Sequence, residues 1–101
     1  MRGAAQPASD LLKGLANRHR LMILCELAES EKSVGQLADL VGLRDSTVSQ
    51  HLSLLRRDRI IVGRRDGQTI WYRLESGPAR QMIDLLYGIY CGQAAKDVPA
   101  T

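Results

Sequence analysis

Two apolar stripes joined by a glycine turn constrain this chain more than any other feature in it. From Ser33 onward, Val34, Leu37, Ala38 and Val41 recur at helical spacing, and Gly42 comes after them. Ser33 with Gln36 three residues on is a capping-box pattern, and a glycine just past the last apolar residue is where a helix ends in left-handed backbone. Beyond Gly42-Leu43-Arg44, the stretch Asp45–Arg57 places Val48, Leu52 and Leu55 at i, i+4 and i+7. Its other face carries Ser46, Thr47, Ser49, Gln50 and Ser53, and Arg56 and Arg57 close it. This is a narrow apolar stripe under a layer of short donors and acceptors, unlike the Glu and Lys mixture of an ordinary solvated helix. Such a helix suits a DNA major groove, where Gln bonds an adenine edge, Ser and Thr adapt, and Arg holds phosphate. Taken alone, the stretch also fits a surface helix that is rich in serine. Two helices joined by a short glycine turn, the second polar outside, form a helix-turn-helix pattern, which favours DNA.

The flanking sequence completes a small domain around that pair. Residues 1–8, rich in Ala and Gly with one Pro, read as a loosely held arm. Ser9 or Asp10 can cap a first helix containing Leu11, Leu12 and Leu15. Asn17 can cap a second that runs to about Glu29, with Leu21, Leu24, Cys25 and Ala28 on its face and Ile23 and Leu27 widening it. After Arg59 the period changes to two β-rich runs, 60–65 and 68–74, separated by Asp66-Gly67, which suits a type I′ hairpin turn. A hairpin directly after a helix-turn-helix is a wing, and Arg64 and Arg65 stand before its tip, within reach of a phosphate or minor groove. The alternative is a solvated hairpin whose charges serve solubility.

Ser76-Gly77-Pro78 opens a last helix over about 79–92. Ala79, Met82, Ile83, Leu86 and Tyr90 make one apolar face, and Leu85 and Ile89 make a second. One face suffices to cover a winged-helix core, so the surplus asks for a partner, most simply the same helix of a second copy about a two-fold axis. The expected interface is Leu11, Leu12 and Leu15 with Met82, Leu85, Leu86 and Ile89. Residues 93–101 read as a frayed tail. The fold expected is mainly α with a β-hairpin, a winged helix-turn-helix of order α-α-α-α-β-β-α over residues 9–92, dimerising through its first and last helices.

Charge supports a polyanion as partner. The 101-residue chain has a formal net charge of +3, but residues 44–73 hold seven arginines against three aspartates. An all-arginine basic stripe forks onto phosphate better than lysine would. No apolar run is long enough to span a membrane and the N-terminus has no signal-peptide character, so the expected location is the cytoplasm, where two cysteines are not expected to form a permanent disulfide. No nucleophile-base pair, phosphate loop or carboxylate pair points to an enzyme.

Three stretches together carry a resemblance: Asn17-Arg18-His19-Arg20-Leu21-Met22-Ile23-Leu24, then Ser46-Thr47-Val48-Ser49-Gln50-His51-Leu52 with Leu55-Arg56, and Ile70-Trp71-Tyr72-Arg73-Leu74. Over about residues 9–92 the chain resembles the ArsR/SmtB family of small winged-helix repressors. The resemblance implies a homodimer on an inverted-repeat DNA operator, released by an inducer, with Ser46, Thr47, Ser49, Gln50, His51, Arg56, Arg57, Arg64 and Arg65 at the DNA. Arg44 stands where that family has a capping Ser, so the cap is expected to pass to Asp45 or Ser46. The family's metal sites use a Cys-x-Cys pair on the third helix, where this chain has Ser33-Val34-Gly35-Gln36-Leu37, or Asp and His ligands on the last helix, where it has Asp84 and no His. With only His19 and His51 in the chain, no zinc cluster and no other cofactor is expected.

Cys25 on the second helix and Cys91 near the end of the last resemble the family's dithiol branch, the biofilm growth-associated and sulfide-responsive repressors. That resemblance implies a sensing pair and reactive sulfur species as inducer. Peroxide or trivalent arsenic as inducer stays open, as does a winged helix used for protein interaction with incidental thiols. Cys25 by itself also fits a small core residue.

Overall fold

The computed structural model of the chain describes residues 2–92. Its elements come in the expected order: α1 Ala5–Leu15, α2 Arg18–Glu29, α3 Val34–Val41, α4 Asp45–Arg57, β1 Ile61–Asp66, β2 Thr69–Leu74 and α5 Gly77–Tyr87. A π-type turn, Gly88–Gly92, prolongs α5. The tail expected over residues 93–101 lies outside the described residues.

The helix starts obey local chemistry. The Asn17 side chain accepts from the backbone N–H groups of His19 and Arg20 at 3.0 and 3.1 Å. Both halves of the Ser33–Gln36 capping box form, and Gly42 closes α3 at φ 72 in the left-handed region. Ser76 accepts from the Ala79 N–H at 3.1 Å, with Pro78 in the first turn of α5, where its missing N–H costs nothing. Val48, Leu52 and Leu55 of α4 are buried against Ile23, Leu24 and Leu27 of α2, Leu37 and Ala38 of α3, and Ile83 of α5 in one continuous core. Each buried Val, Leu or Ile side chain among them contributes roughly 1.5–3 kcal/mol of apolar burial. α1 joins this core by close approach, since a Cβ on buried Gly14 would stand 2.6 Å from Cδ1 of Ile60. Arg20 of α2 then satisfies carbonyls at the end of α1, its Nε donating to Gly14 at 2.7 Å and Nη2 to Lys13 at 3.1 Å.

Several expectations need correction. The first helix begins at Ala5, not after a cap at Ser9 or Asp10, so most of the supposed arm is helical. Alanine is the strongest helix former, Pro7 falls in the first turn where it is tolerated, and Gln6 donates to Asp10 one turn on at 2.8 Å. The hairpin pairs Asp66 with Thr69, so its two-residue loop is Gly67-Gln68, not Asp66-Gly67. Gly67 alone has positive φ (64°), the type II′ pattern; a type I′ loop one residue earlier would force Asp66 there as well. Tyr90 leaves the core face expected of it and is 72% exposed. The wider π-type turn adds a residue to its local repeat and rotates Tyr90 off the α5 stripe.

The cap of α4 does not pass to Asp45 or Ser46. Arg44 itself holds the N-cap position in extended backbone (φ −75°, ψ 151°), with no side-chain capping bond. Asp45 in the first turn offsets part of that loss through the helix dipole. At the other end, the Ile60 N–H bonds the Leu55 carbonyl at 2.9 Å and the Arg59 N–H bonds Arg56 at 3.0 Å, a Schellman motif. Its left-handed residue is Arg59 at φ 59, where glycine is usual. Both ends of α4 are therefore closed by an arginine that local stability disfavours. Arg44→Ser is expected to raise the unfolding free energy by about 1 kcal/mol, read as a higher urea midpoint at unchanged slope. An unchanged midpoint would show that this helix start gains nothing from a cap.

Candidate nucleic-acid interface and thiol pair

Because the core takes Val48, Leu52 and Leu55, α4 turns Ser46, Ser49, Gln50 and Ser53 to the exterior, with Arg56 and Arg57 exposed at its end and Thr47 half-buried at the edge. Arg57 donates from Nε to Asp58 at 3.3 Å, so one of its bonds is already used. His51 lies on the side of α4 that meets α2. It is half-buried beside His19 at the start of α2, with ring centroids 6.2 Å apart. Burial first, then the positive Arg20 and the neighbouring His19, push its imidazole below the ordinary histidine range. The ring therefore sits at the junction of α2 and α4. Arg44, absent from the expected DNA residues, is exposed at the leading end of the same helix.

The wing stands beside α4. A cleft of about 410 Å³ lies between the hairpin and the helix pair, lined by Ser33, Val34 and Gly35 at the start of α3 and Ser49 of α4 on one side and Gln68, Thr69, Ile70 and Tyr72 on the other. Lys32 adds a single-residue bridge to the edge of β2, exchanging backbone hydrogen bonds of 2.9 and 3.1 Å with Tyr72. Arg64 and Arg65 are neighbours in sequence but lie on opposite faces of the hairpin. Arg64 forks onto Glu31, with Nη2 to Oε1 at 2.9 Å and Nε to Oε2 at 3.4 Å. Arg65 makes no ion pair among the described residues. Glu31 had no sequence signal, because the pair joins positions 33 residues apart.

The two thiols are free. Cys25 is half-buried on α2 and packs against the core, while Cys91 is exposed in the π-type turn beyond α5. Burial chiefly pushes the Cys25 thiol above its ordinary range, and the charges of Cys91, Glu26 and Glu29 add to it. Cys91 is expected to alkylate first with iodoacetamide at neutral pH, with Cys25 reacting only as pH rises toward its raised range; equal rates in a peptide-resolved assay would contradict this asymmetry. Among the described residues no three or more His, Cys, Asp or Glu side chains gather as a metal site.

The apolar surplus is only partly where it was expected. Leu15 is buried in its own protomer's core, and Leu11 and Met82 pack against that core. Leu86 is half-buried. Leu12 and Leu85 are 52% and 55% exposed, and Tyr87 and Ile89 extend the patch. No helix among the described residues is long and apolar enough to cross a membrane.

A helix-turn-helix with a polar outer helix and an arginine-bearing hairpin beside it defines a winged-helix DNA-binding protein. The profile of the arsR family of bacterial regulatory proteins matches residues 17–62. The transcriptional activator HlyU of Vibrio cholerae is 47% identical over 80% of this chain and 75% of its own length. The biofilm growth-associated repressor of Xylella fastidiosa is 41% identical over 92% of this chain and 82% of its own. The structure of HlyU from Vibrio cholerae superposes with a TM-score of 0.87 at 44% identity, covering 90% of this chain and 99% of that one. The repressor BigR from Xylella fastidiosa superposes with 0.84 at 41% identity, over 90% and 93%. A homodimeric winged helix-turn-helix domain from Mycobacterium bovis matches with 0.79 at 26% identity, over 92% and 86%. The chain belongs to the arsR family: it is a DNA-binding transcriptional regulator and not an enzyme.

Proposed function

We propose that this regulator is a homodimeric repressor that binds an inverted-repeat operator and releases it when reactive sulfur links Cys25 to Cys91. The observation that carries the sensing is the placement of a half-buried thiol on α2 and an exposed one just beyond α5, the helix packed against α2. The homologous repressor of Xylella fastidiosa and the homodimer of Mycobacterium bovis support the sign of control and the assembly. Leu12, Leu85 and Ile89 form the seam of the dimer. Ser46, Thr47, Ser49 and Gln50 face the bases, with Arg44, Arg56, Arg57 and Arg65 on the backbone or base edges.

The chemistry needs a sulfane-sulfur donor such as inorganic polysulfide. The Cys91 thiolate attacks a donor sulfur, one S–S bond of the donor breaks, and the shortened polysulfide leaves with the electron pair. Cys91 then carries a persulfide. Cys25 acquires a sulfur in the same way, its outer sulfur attacks the inner sulfur of the Cys91 persulfide, and hydrosulfide leaves. The product is a trisulfide, with the donor as the oxidant. A link with an extra sulfur spans more than a direct disulfide, which needs Cα atoms within about 7 Å. It ties α2 to the end of α5, which carries the dimer seam, and so changes the separation of the two recognition helices. Half-sites about 34 Å apart, or a multiple of it, tolerate little such change.

The test is fluorescence anisotropy on a duplex selected from a randomised library, with polysulfide, peroxide and arsenite added separately to the reduced dimer. Polysulfide is expected to lower affinity about 5- to 150-fold, the usual span of an allosteric coupling. Release by peroxide or arsenite alone would replace reactive sulfur as the inducer. Binding that ignores salt would favour a protein-interaction module over a phosphate-neutralising DNA binder.

A further inference from the structure

We infer that Glu31 and Arg64 form a strap that positions the wing, and that Arg65, not Arg64, is the wing's phosphate contact. The inference rests on the chain's membership of a DNA-binding family and is independent of the thiol chemistry. Glu31 lies in the short connection between α2 and α3, immediately before Lys32. Lys32 is fixed twice: by its backbone bonds to Tyr72 and by its Nζ, which donates to the Glu26 carbonyl at 2.7 Å and Ser30 Oγ at 3.0 Å. The Glu31 carboxylate is thus held at the edge of β2 by a rigid neighbour. Across the hairpin it meets Arg64 through two parallel bonds, the fork geometry in which an arginine has least freedom left.

Strand alternation decides which arginine is available. Arg64 pairs with Trp71, whereas Arg65 pairs with Ile70. Cross-strand partners share a face, so Arg65 lies with Ile70 and Tyr72, which line the cleft shared with Ser49 of the recognition helix. Arg64 and Trp71 occupy the opposite face, together with Arg73, itself paired to Glu75 at 3.2 Å. Both arginines of that face are therefore closed in ion pairs. The face turned toward α4 keeps a guanidinium with no carboxylate. Cutting the strap leaves the base of the hairpin held by the Lys32–Tyr72 bonds and by buried Ile61 and Leu74, and frees its tip to bend, which carries Arg65 away from its phosphate.

The chain's single tryptophan reports the strap without DNA, because Trp71 is the cross-strand neighbour of Arg64. The experiment compares Arg64→Glu, Arg65→Ala and the charge swap Glu31→Arg with Arg64→Glu, which keeps the net charge of the wild type. Acrylamide quenching of Trp71 is measured on each free dimer, and affinity for the selected duplex across a salt series. Arg64→Glu is expected to raise quenching and weaken DNA binding several-fold, with the charge swap returning quenching to the wild-type value and affinity to within about twofold. Arg65→Ala is expected to leave quenching unchanged and to reduce the salt slope by about 0.9 for each wing engaged. A charge swap as weak as Arg64→Glu, or an unchanged salt slope in Arg65→Ala, would overturn the assignment.

Discussion

Cys91→Ser is expected to bind operator DNA as tightly as the wild-type chain and to keep hold of it when polysulfide is added. Cys91 is exposed and belongs to no core contact, so its replacement removes reactivity without a packing penalty. The wild type should lose 5- to 150-fold in affinity under the same treatment, equivalent to about 1–3 kcal/mol of coupling. The variant should lose less than twofold. Cys25→Ser should behave alike in release, at a small cost in stability, because Cys25 is half-buried and packs against the core. Anisotropy titrations before and after polysulfide, then after dithiothreitol, give all of these values. A Cys91→Ser protein that still releases DNA would remove this residue from the switch.

The second large effect concerns the inward face of α4. Leu52 of α4 is 1% exposed and sits between Val48 and Leu55 in the core. Leu52→Ala is expected to cost about 2–5 kcal/mol, combining lost transfer energy with the cavity left behind. A domain of this size has only about 5–15 kcal/mol to lose. The melting temperature should fall by on the order of 10–20 °C, measured at one fixed protein concentration because dimerisation couples to folding. Leu54→Ala, two residues further round the same helix and 40% exposed, should change it by far less. Equal losses at the two positions would contradict the inward face assigned to α4.

The contrast between Leu52 and Leu54 also shows what a sequence makes legible. Spacing at i, i+4 and i+7 located the core face of α4, and the Ser33–Gln36 pair with Gly42 located both ends of α3, because these signals lie within one or two helical turns. Where a local signal had to compete with its neighbours, it failed. Ser9 and Asp10 are good caps, yet the helix-forming alanines of Ala4-Ala5-Gln6-Pro7-Ala8 carried α1 past them. Asp66-Gly67 is a favoured hairpin loop, yet the pairing settled one residue on, where a single glycine meets the single positive φ of the turn.

Long-range partners lay beyond the reach of periodicity. Nothing in the local sequence links Glu31 to Arg64 or His19 to His51, and each pairing involves one of the expected DNA residues. Leu15 is apolar in any pattern, but only packing shows that its own core claims it and leaves Leu12 exposed. The arginines at both ends of α4 were visible as residues, Arg44 as a departure from the family; their cost became visible only with the backbone angles. Residues that break a local rule without a local gain are expected where a protein meets its ligand.

The most direct measurement is the intact mass of the chain after polysulfide treatment under non-reducing conditions, taken on the same sample whose DNA release is followed. The expected result is a gain of one or more whole sulfur atoms with the loss of two hydrogens, mapped by peptide sequencing to a Cys25–Cys91 link and reversed by dithiothreitol together with the return of DNA binding. Release of DNA with both thiols unmodified, or with a sulfur chain that does not join Cys25 to Cys91, would contradict it.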